Sequence, residues 1–280
     1  MFKFLKRKLS ICYNINELCN TDKWDNPDWL KTHMELEKYS IDKHCFNEDK
    51  EFAYRKGWEW TQFIYGINQL GFIKDNAKAL CVGAGHEPTL YYLADRIGEV
   101  VATDLYGNEA WEGNEATNSV FTNPEKFCPI DYRKNKLSFK NMDGTRLEFP
   151  DNSFDIVWSL SSIEHFGSHE NAQKSVQEMA RVVKPKGIVV VATEFIINNI
   201  EETHPEYFTK ALFEQHVIYG DSTLKLIEPM NYDLPKEKYL KNPILLPQDI
   251  HRIKNHIILS DGRFNWTSII EFFIKTDISH

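Results

Sequence analysis

The chain has 280 residues, of which 42% are hydrophobic and 26% are charged, and its formal net charge is −8 at pH 7. This length and composition are those of a globular protein with a sizeable core. The acidic balance disfavours nucleic acid as the main substrate, because affinity for a phosphate backbone comes from clustered Lys and Arg. No apolar run approaches the roughly 20 residues of a membrane span, and the apolar stretch of a signal peptide is not recognisable. We therefore expect a cytoplasmic protein without a transmembrane segment.

The cysteines predict a reducing compartment rather than a disulfide framework. Their spacing suggests no pairing and contains no CxxC motif; they are Cys12, Cys19, Cys45, Cys81 and Cys128. A zinc site built from the first three of them with His33 or His44 is a weak alternative, since no HxxxH spacing supports it. We expect free thiols and no metal.

A helix is the first element that the sequence predicts, because the polar residues before about position 45 show no clear pattern. From about Glu51 the apolar side chains follow the i, i+3, i+4, i+7 period of an amphipathic helix, and Gly71 is suited to end it. These apolar residues are Trp60, Phe63, Ile64 and Ile67. We interpret residues 1–72 as an N-terminal helical extension that caps the rest of the chain.

Strands and helices alternate in the next part of the chain. The predicted strands are Lys78–Val82, Glu99–Asp104, Lys136–Asn141, Phe154–Ser159 and Ile188–Thr193. An amphipathic helix from about His169 separates the last two, and Lys184–Gly187 is expected to break it. The polar residues 106–134 resemble an inserted loop. This alternation implies a parallel sheet with right-handed crossovers.

The C-terminal part predicts an antiparallel addition to that sheet. A helix is expected near residues 207–217, and the four prolines within 229–247 exclude a regular helix there. His256–Ser260 and Thr267–Lys275 then form the two arms of a predicted β-hairpin, joined through an Asp-Gly turn. The predicted class is α/β, with one domain over 73–280 and inserts at about 106–134 and 229–250.

A glycine-rich turn predicts a site for an adenosine-containing cofactor. Gly83 and Gly85 follow the first strand, and Asp104 ends the second strand at about the ~20-residue spacing at which an acid binds ribose hydroxyls. Nicotinamide and flavin enzymes use the same layout, but Pro88 lies close to where their pyrophosphate would bind. A second acid, Asp143, follows the third strand, where it can accept a hydrogen bond from an adenine amino group.

Five segments resemble the class I S-adenosylmethionine-dependent methyltransferases, and in particular their large small-molecule ("type 11") branch. They are the glycine motif Leu80–Gly85, the ribose acid Asp104, the adenine acid Asp143, the S-x-x-E-H segment Ser161–His165 and the turn Arg181–Gly187. The chain departs from the family pattern at Cys81, where an acid is common, at Glu87, where a third small residue is usual, and at Lys186. The resemblance implies a Rossmann-like fold with a mostly parallel seven-stranded sheet and an antiparallel C-terminal hairpin.

The resemblance also implies S-adenosyl-L-methionine as the cofactor and a set of residues that hold it. These are Gly83, Ala84, Gly85, Asp104, Leu105, Met142, Asp143, Gly144 and Ser159, with Arg55 (or the neighbouring Lys56) for the cofactor's carboxylate. His165 and Glu164 border the reacting centre. Histidine changes charge near neutral pH, so His165 is the candidate base for a hydroxyl proton, although a structural histidine is an equal alternative. Glu164 either orients His165 or forms part of the pocket wall.

The predicted function is methyl transfer to a hydroxyl of a sugar or another small molecule. The Asn/Asp-Pro-Pro-Tyr/Phe tetrapeptide of methyltransferases that modify amino groups of nucleic acids or glutamine is absent, and Ser159–Ser162 occupies its place. Two alternatives remain: a methyltransferase-fold protein that binds the cofactor without turnover, and an NAD-dependent oxidoreductase. The sequence contains no signal for oligomeric state.

Overall fold

A computed structural model describes residues 14–106, 117–248 and 255–277. The strands are β1 (Glu17–Leu18), β2 (Lys78–Val82), β3 (Glu99–Asp104), β4 (Leu137–Asn141), β5 (Phe154–Leu160), β6 (Val183–Ile196), β7 (Leu224–Leu226), β8 (Ile244–Leu245), β9 (Leu259–Ser260) and β10 (Asn265–Lys275). The α-helices are α1 (Pro27–Glu37), α2 (Arg55–Gln69), α3 (Pro88–Ala94), α4 (Asn118–Thr122), α5 (His169–Val182), α6 (Lys210–Phe213) and α7 (Glu237–Leu240).

A parallel sheet in the order β4-β3-β2-β5-β6 forms the centre of the molecule. Pairing runs from Lys78 opposite Glu99 to Val82 opposite Thr103, and β4 continues the same register on β3. The carboxyl ends of β2 and β3 therefore meet at one edge of the sheet, where ligands bind in open α/β folds. This arrangement confirms the predicted Rossmann-like α/β class.

The last strand, β10, lies antiparallel beside β6, from Trp266 opposite Ile196 to Ile274 opposite Ile188. Three short strands, β9, β1 and β7, pair one after another along the other edge of β10. The sheet has 10 strands within the described residues rather than seven, because the two-residue strands β1, β8 and β9 extend it. The predicted antiparallel hairpin is present, with Gly262 at φ 90° in its turn, but β9 pairs with only the start of β10.

Helices cover both faces of the sheet, so that each face has its own apolar core. On the α2 and α3 face, the buried rings of Phe63 and Trp158 stack at 5.0 Å. On the α5 face, Val176 and Met179 pack against strand residues and Phe213. Helix α2 thus packs directly on the sheet, while the predicted domain boundary at residue 72 stays a prediction.

Five segments differ from the prediction. The expected loop at 106–134 contains the short helix α4 in its described part, while residues 107–116 lie outside the described residues. Helix α1 forms within the stretch that lacked a pattern, because Asn26 accepts the N–H groups of Asp28 and Trp29 as its N-cap and Pro27 begins the helix. The residues 184–187 belong to β6 rather than to a turn, with Lys186 at φ 65°.

The other two differences lie in the C-terminal half. The expected helix at 207–217 is the short α6 followed by a π-helical turn, Glu214–Ile218. Between Pro235 and Pro243, one helical turn, α7, fits into the proline-rich stretch.

The described residues also contain information on the state of the cysteines, on metal-ligand groups and on membrane-spanning helices. Cys19, Cys45, Cys81 and Cys128 are free and buried, whereas Cys12 lies outside the described residues. Across 14–106, 117–248 and 255–277, no group of three or more His, Cys, Asp or Glu side chains is arranged to hold a metal ion. None of the helices in these same ranges combines the length and the apolar character needed to cross a bilayer.

Candidate cofactor and methyl-transfer site

The glycine loop after β2 adopts a conformation that favours glycine at two positions. Gly83 has φ 69° and Gly85 has φ 48°, both in the left-handed region. The N–H groups of Gly83 and Ala84 donate to the carbonyl of Thr103 at 2.9 and 3.0 Å, which ties the loop to the end of β3. A Cβ atom at Gly83 would lie 2.4 Å from Cβ of Ser162, so no larger residue fits there without displacement.

Asp104 lies directly beside this loop, as predicted from its place at the end of β3. Its Oδ2 accepts the N–H of Gly85 at 2.8 Å and its Oδ1 accepts the N–H of Leu105 at 2.7 Å. The Leu105 side chain is 45% exposed, although it immediately follows a buried strand. A carboxylate next to an uncovered apolar side chain at the sheet edge fits a nucleoside, whose ribose bears hydroxyls and whose base has an apolar face.

The turn after β4 brings Asp143 to the same edge. The Met142 N–H donates to the Asp104 carbonyl at 3.0 Å, which fixes the two strand ends side by side. The Asp143 carboxylate accepts the N–H and the hydroxyl of Thr145, both at 2.8 Å, through one oxygen. At Gly144, an added Cβ would approach the Phe166 ring to 2.7 Å. The contact of Asp143 with adenine stays a prediction.

The segment after β5 forms the other side of the candidate site. Ser161 has φ 50°, and Ser159 carries a buried hydroxyl that has no hydrogen-bond partner within the described part of the chain. Glu164 accepts the Thr193 hydroxyl at 2.9 Å through Oε2, while its Oε1 has no such partner there. Burial raises the pKa of Glu164 to about 7. His165 is partly exposed, with Nδ1 3.5 Å from a carboxylate oxygen of Glu206.

A cluster of charged side chains connects α2 with β6 near this segment. The Arg55 guanidinium contacts Glu59 at 3.1 Å and Glu194 at 2.7 Å, and it donates to the Ser268 hydroxyl at 3.0 Å. Lys56 lies 3.2 Å from Glu59, and its side chain is about 30% exposed. Because Arg55 is already held by two carboxylates, Lys56 is the more accessible candidate for the cofactor's carboxylate.

Sequence reasoning missed Glu59 and Glu194 as members of this cluster. The i, i+4 spacing of Arg55 and Glu59 was a usable signal, whereas Glu194 reaches Arg55 only through the placement of α2 over β6. Burial and the neighbouring Glu164 oppose its ionisation, and the pKa of Glu194 is raised to about 7 despite the adjacent Arg55.

A glycine loop between a parallel strand and a helix, with an acid at the next strand end, defines an α/β protein built to bind a nucleoside-containing cofactor. Comparison with known proteins narrows this class. The family model described as "Methyltransferase domain" matches residues 80–191, the segment from β2 to β6 that contains the glycine loop, Asp104, Asp143 and Glu164.

Relatives and solved structures agree with that match. Phosphoethanolamine N-methyltransferase of Plasmodium falciparum is 24% identical over 187 residues, covering 61% of this chain and 64% of the relative. Tocopherol O-methyltransferase of Arabidopsis thaliana is 30% identical over 117 residues, covering 41% and 30%. The structure of Haemonchus contortus phosphoethanolamine N-methyltransferase 2 in complex with S-adenosyl-L-methionine superposes with a TM-score of 0.54 at 16% identity, covering 91% of this chain and 60% of that one. The matches thus span less than two thirds of each relative.

Residues 80–191 therefore belong to the class I S-adenosylmethionine-dependent methyltransferase family. Its cofactor is S-adenosyl-L-methionine, and the residues present fit it: the exposed Leu105 and the Asp104 carboxylate suit adenosine, and Lys56 suits the amino-acid carboxylate.

Proposed function

We propose that the protein transfers the methyl group of S-adenosylmethionine to a hydroxyl group of a sugar or another small molecule. The observation that carries the proposal is the shared sheet edge of two half-sites. The glycine loop and Asp104 form the half that suits the cofactor, and Glu164 with His165 forms the half beside the acceptor. When bound, the cofactor supplies a methyl group on a positively charged sulfur, which is already activated for transfer.

The chain's own residues then have three tasks. Asp104 and the glycine loop fix the orientation of the bound nucleoside, which places reactants for an in-line displacement. His165 accepts the hydroxyl proton as the acceptor oxygen bonds to the methyl carbon. Glu206 lies 3.5 Å from Nδ1 of this imidazole, and buried Glu164 closes the wall behind the acceptor.

The first experiment tests cofactor binding through Asp104. We expect the protein to bind S-adenosylhomocysteine and to show no comparable affinity for NAD, measured by calorimetry. Because the carboxylate would accept charge-assisted hydrogen bonds from ribose, Asp104→Ala should cost on the order of 2–3 kcal/mol of binding. Asp75→Ala, at an exposed acid before β2, is the matched control and should bind normally. Tight NAD binding that depends on Asp104 would contradict the assignment.

A second arm of this experiment tests the acceptor half. Wild-type protein is incubated with radiolabelled cofactor and a panel of sugar nucleotides, phenols and phosphoethanolamine. With the hydroxyl acceptor so found, His165→Ala should lower kcat by about 10²–10⁴-fold and leave the affinity for S-adenosylhomocysteine within about threefold. Methylation of phosphoethanolamine alone would contradict the hydroxyl acceptor, and binding without methylation of any acceptor would favour a binding protein.

A further inference from the structure

The side chain of Glu87, at the end of the glycine loop, contacts strands β2 and β5 of the sheet. It stands where the family pattern usually has a small residue, and only about 6% of it is exposed. The same pattern commonly has an acid at position 81, where this chain has Cys81. The two departures noted in the sequence are therefore complementary: one position loses a carboxyl group and the other gains one.

The structure places these two departures in direct contact. The Sγ atom of Cys81 donates to Oε1 of Glu87 at 3.4 Å. The same oxygen accepts the indole N–H of Trp158 and the hydroxyl of Thr89, each at 2.5 Å. The carboxyl group thus lies against β2 although it is carried by the residue that precedes α3.

These contacts link the two halves of the candidate site. Cys81 and Trp158 are direct register partners on the parallel strands β2 and β5. Strand β2 leads into the glycine loop, and β5 leads into the Ser161–His165 segment. The Glu87 side chain therefore connects the end of the glycine loop to β2 and β5. The hydrogen bonds of Gly83 and Ala84 to the Thr103 carbonyl connect the same loop to β3.

We propose that Glu87 is a positioning residue for the cofactor, which supplies from the loop the carboxyl group that the family pattern carries at position 81. It fixes the position of the glycine loop relative to β2 and β5 by accepting hydrogen bonds from Cys81 and Trp158. The inference rests on the proposed binding of S-adenosylmethionine. Burial raises the pKa of Glu87, whereas the hydrogen bonds from Thr89, Trp158 and Cys81 oppose this shift.

The test compares variants that remove, conserve or relocate this acceptor. Glu87→Leu removes it, Glu87→Gln keeps an oxygen in place, and the double variant Cys81→Asp/Glu87→Gly moves the carboxyl to the strand and restores the family pattern. Affinity for S-adenosylhomocysteine is measured by calorimetry, well below the lowest unfolding temperature of the set. We expect Glu87→Leu to bind at least about tenfold more weakly. Glu87→Gln and the double variant should bind within about threefold of the wild type.

Glu271→Leu is the matched control, because it removes a fully buried carboxyl group from β10, a strand that does not pair with β2 or β5. It should leave the affinity unchanged. Absence of binding by the wild type would overturn the proposed function. If the wild type binds, unchanged affinity in Glu87→Leu overturns the positioning role alone. If Glu87→Leu does not fold, the other two variants decide, and tenfold weaker binding by the folded Glu87→Gln or by the folded double variant overturns it.

Discussion

Glu59 and Glu271 are both completely buried, yet their surroundings are opposite. Around Glu59 lie Arg55 and Lys56, and the hydroxyls of Ser161 and Ser268 donate to its carboxylate. Glu271 lies in the middle of β10 on the other face of the sheet, and neither of its carboxyl oxygens has a hydrogen-bond partner within the described residues.

The difference between the two acids teaches that donors, rather than depth, decide the charge of a buried carboxyl group. Burial alone raises the pKa of both. At Glu59, the charges of Lys56 and Arg55 together with the hydroxyl donors outweigh burial, so its pKa is lowered. At Glu271, burial and the nearby Glu164 raise the pKa well above the usual value. The surroundings of Glu59 therefore favour its ionised form, whereas those of Glu271 favour its protonated form.

The largest expected effect comes from removing Glu59, the member of this pair whose ionised form is favoured. Glu59→Leu leaves the buried Arg55 guanidinium and the partly exposed Lys56 ammonium group without this carboxylate. We expect a loss of about 3–5 kcal/mol in the free energy of unfolding. Urea denaturation measures it. The same substitution also removes the acceptor for the Ser161 and Ser268 hydroxyls, so Glu59→Gln should recover part of the loss. A loss below about 1 kcal/mol in Glu59→Leu would show that the cluster is not held by this carboxylate.

A pH titration of stability should have the next largest effect. The pKa values of Glu17, Glu164 and Glu194 are raised to about 7 in the folded protein. A group with a raised pKa binds its proton more tightly when folded, so its contribution is complete below the unfolded pKa and is lost as the pH rises through about 7. One such shift corresponds to roughly 3 kcal/mol at most.

The lowered pKa values of buried His33 and His256 add stability as the pH rises to 6.5, the ordinary histidine value, and not above it. We therefore expect the melting temperature to fall between about pH 6.5 and pH 8. Glu59 works in the opposite direction, because a lowered pKa gives stability that is present above the unfolded pKa and is lost as the pH falls through the folded one. That loss lies below the range of this titration. A melting temperature that rises steadily across the range would contradict the raised pKa values.

The smallest effect is expected at Glu271, and it has the opposite sign to that at Glu59. Replacing a buried carboxyl group that lacks partners by an apolar side chain of similar volume removes a desolvation cost. Glu271→Leu should raise the free energy of unfolding by about 1–2 kcal/mol, with the larger gain at high pH. Thermal melting at two pH values measures both. Destabilisation by this substitution would mean that Glu271 has a compensating interaction.

The parallel part of the fold was predictable because each strand there has its own sequence signal. The continuous apolar runs predicted Lys78–Val82 and Glu99–Asp104 with their observed bounds. Strand β1 was not predictable, since its two residues form a strand only because β10 offers them an edge. Helix α1 did have a signal, the Asn-Pro-Asp start at Asn26, which the lack of an apolar pattern concealed.

The candidate site divides in the same way. Gly83, Gly85 and Asp104 belong to one strand–loop–helix–strand pattern, so the sequence predicted their contact. Glu194 depends on α2 packing over the sheet, which no local pattern describes. The cofactor contacts of all the candidate residues, Asp104 as well as Ser159, Met142 and Gly144, stay predictions, and so does the role of His165.

The pairing of three short strands along β10 has a consequence for the order in which the protein can fold during synthesis. When each of the strands β2 to β6 leaves the ribosome, a neighbouring strand of the parallel sheet has already been translated or is translated soon afterwards. The first described residues have no neighbouring strand so early, because Glu17 and Leu18 pair with Ile270 and Ile269 of β10, which is translated after all the other described strands. Until then Leu18, buried in the folded protein, lacks its strand partner, and such exposed apolar surface is what chaperones bind. Docking of β10 is thus a late step that joins the two ends of the described chain, the kind of non-local contact that slows folding.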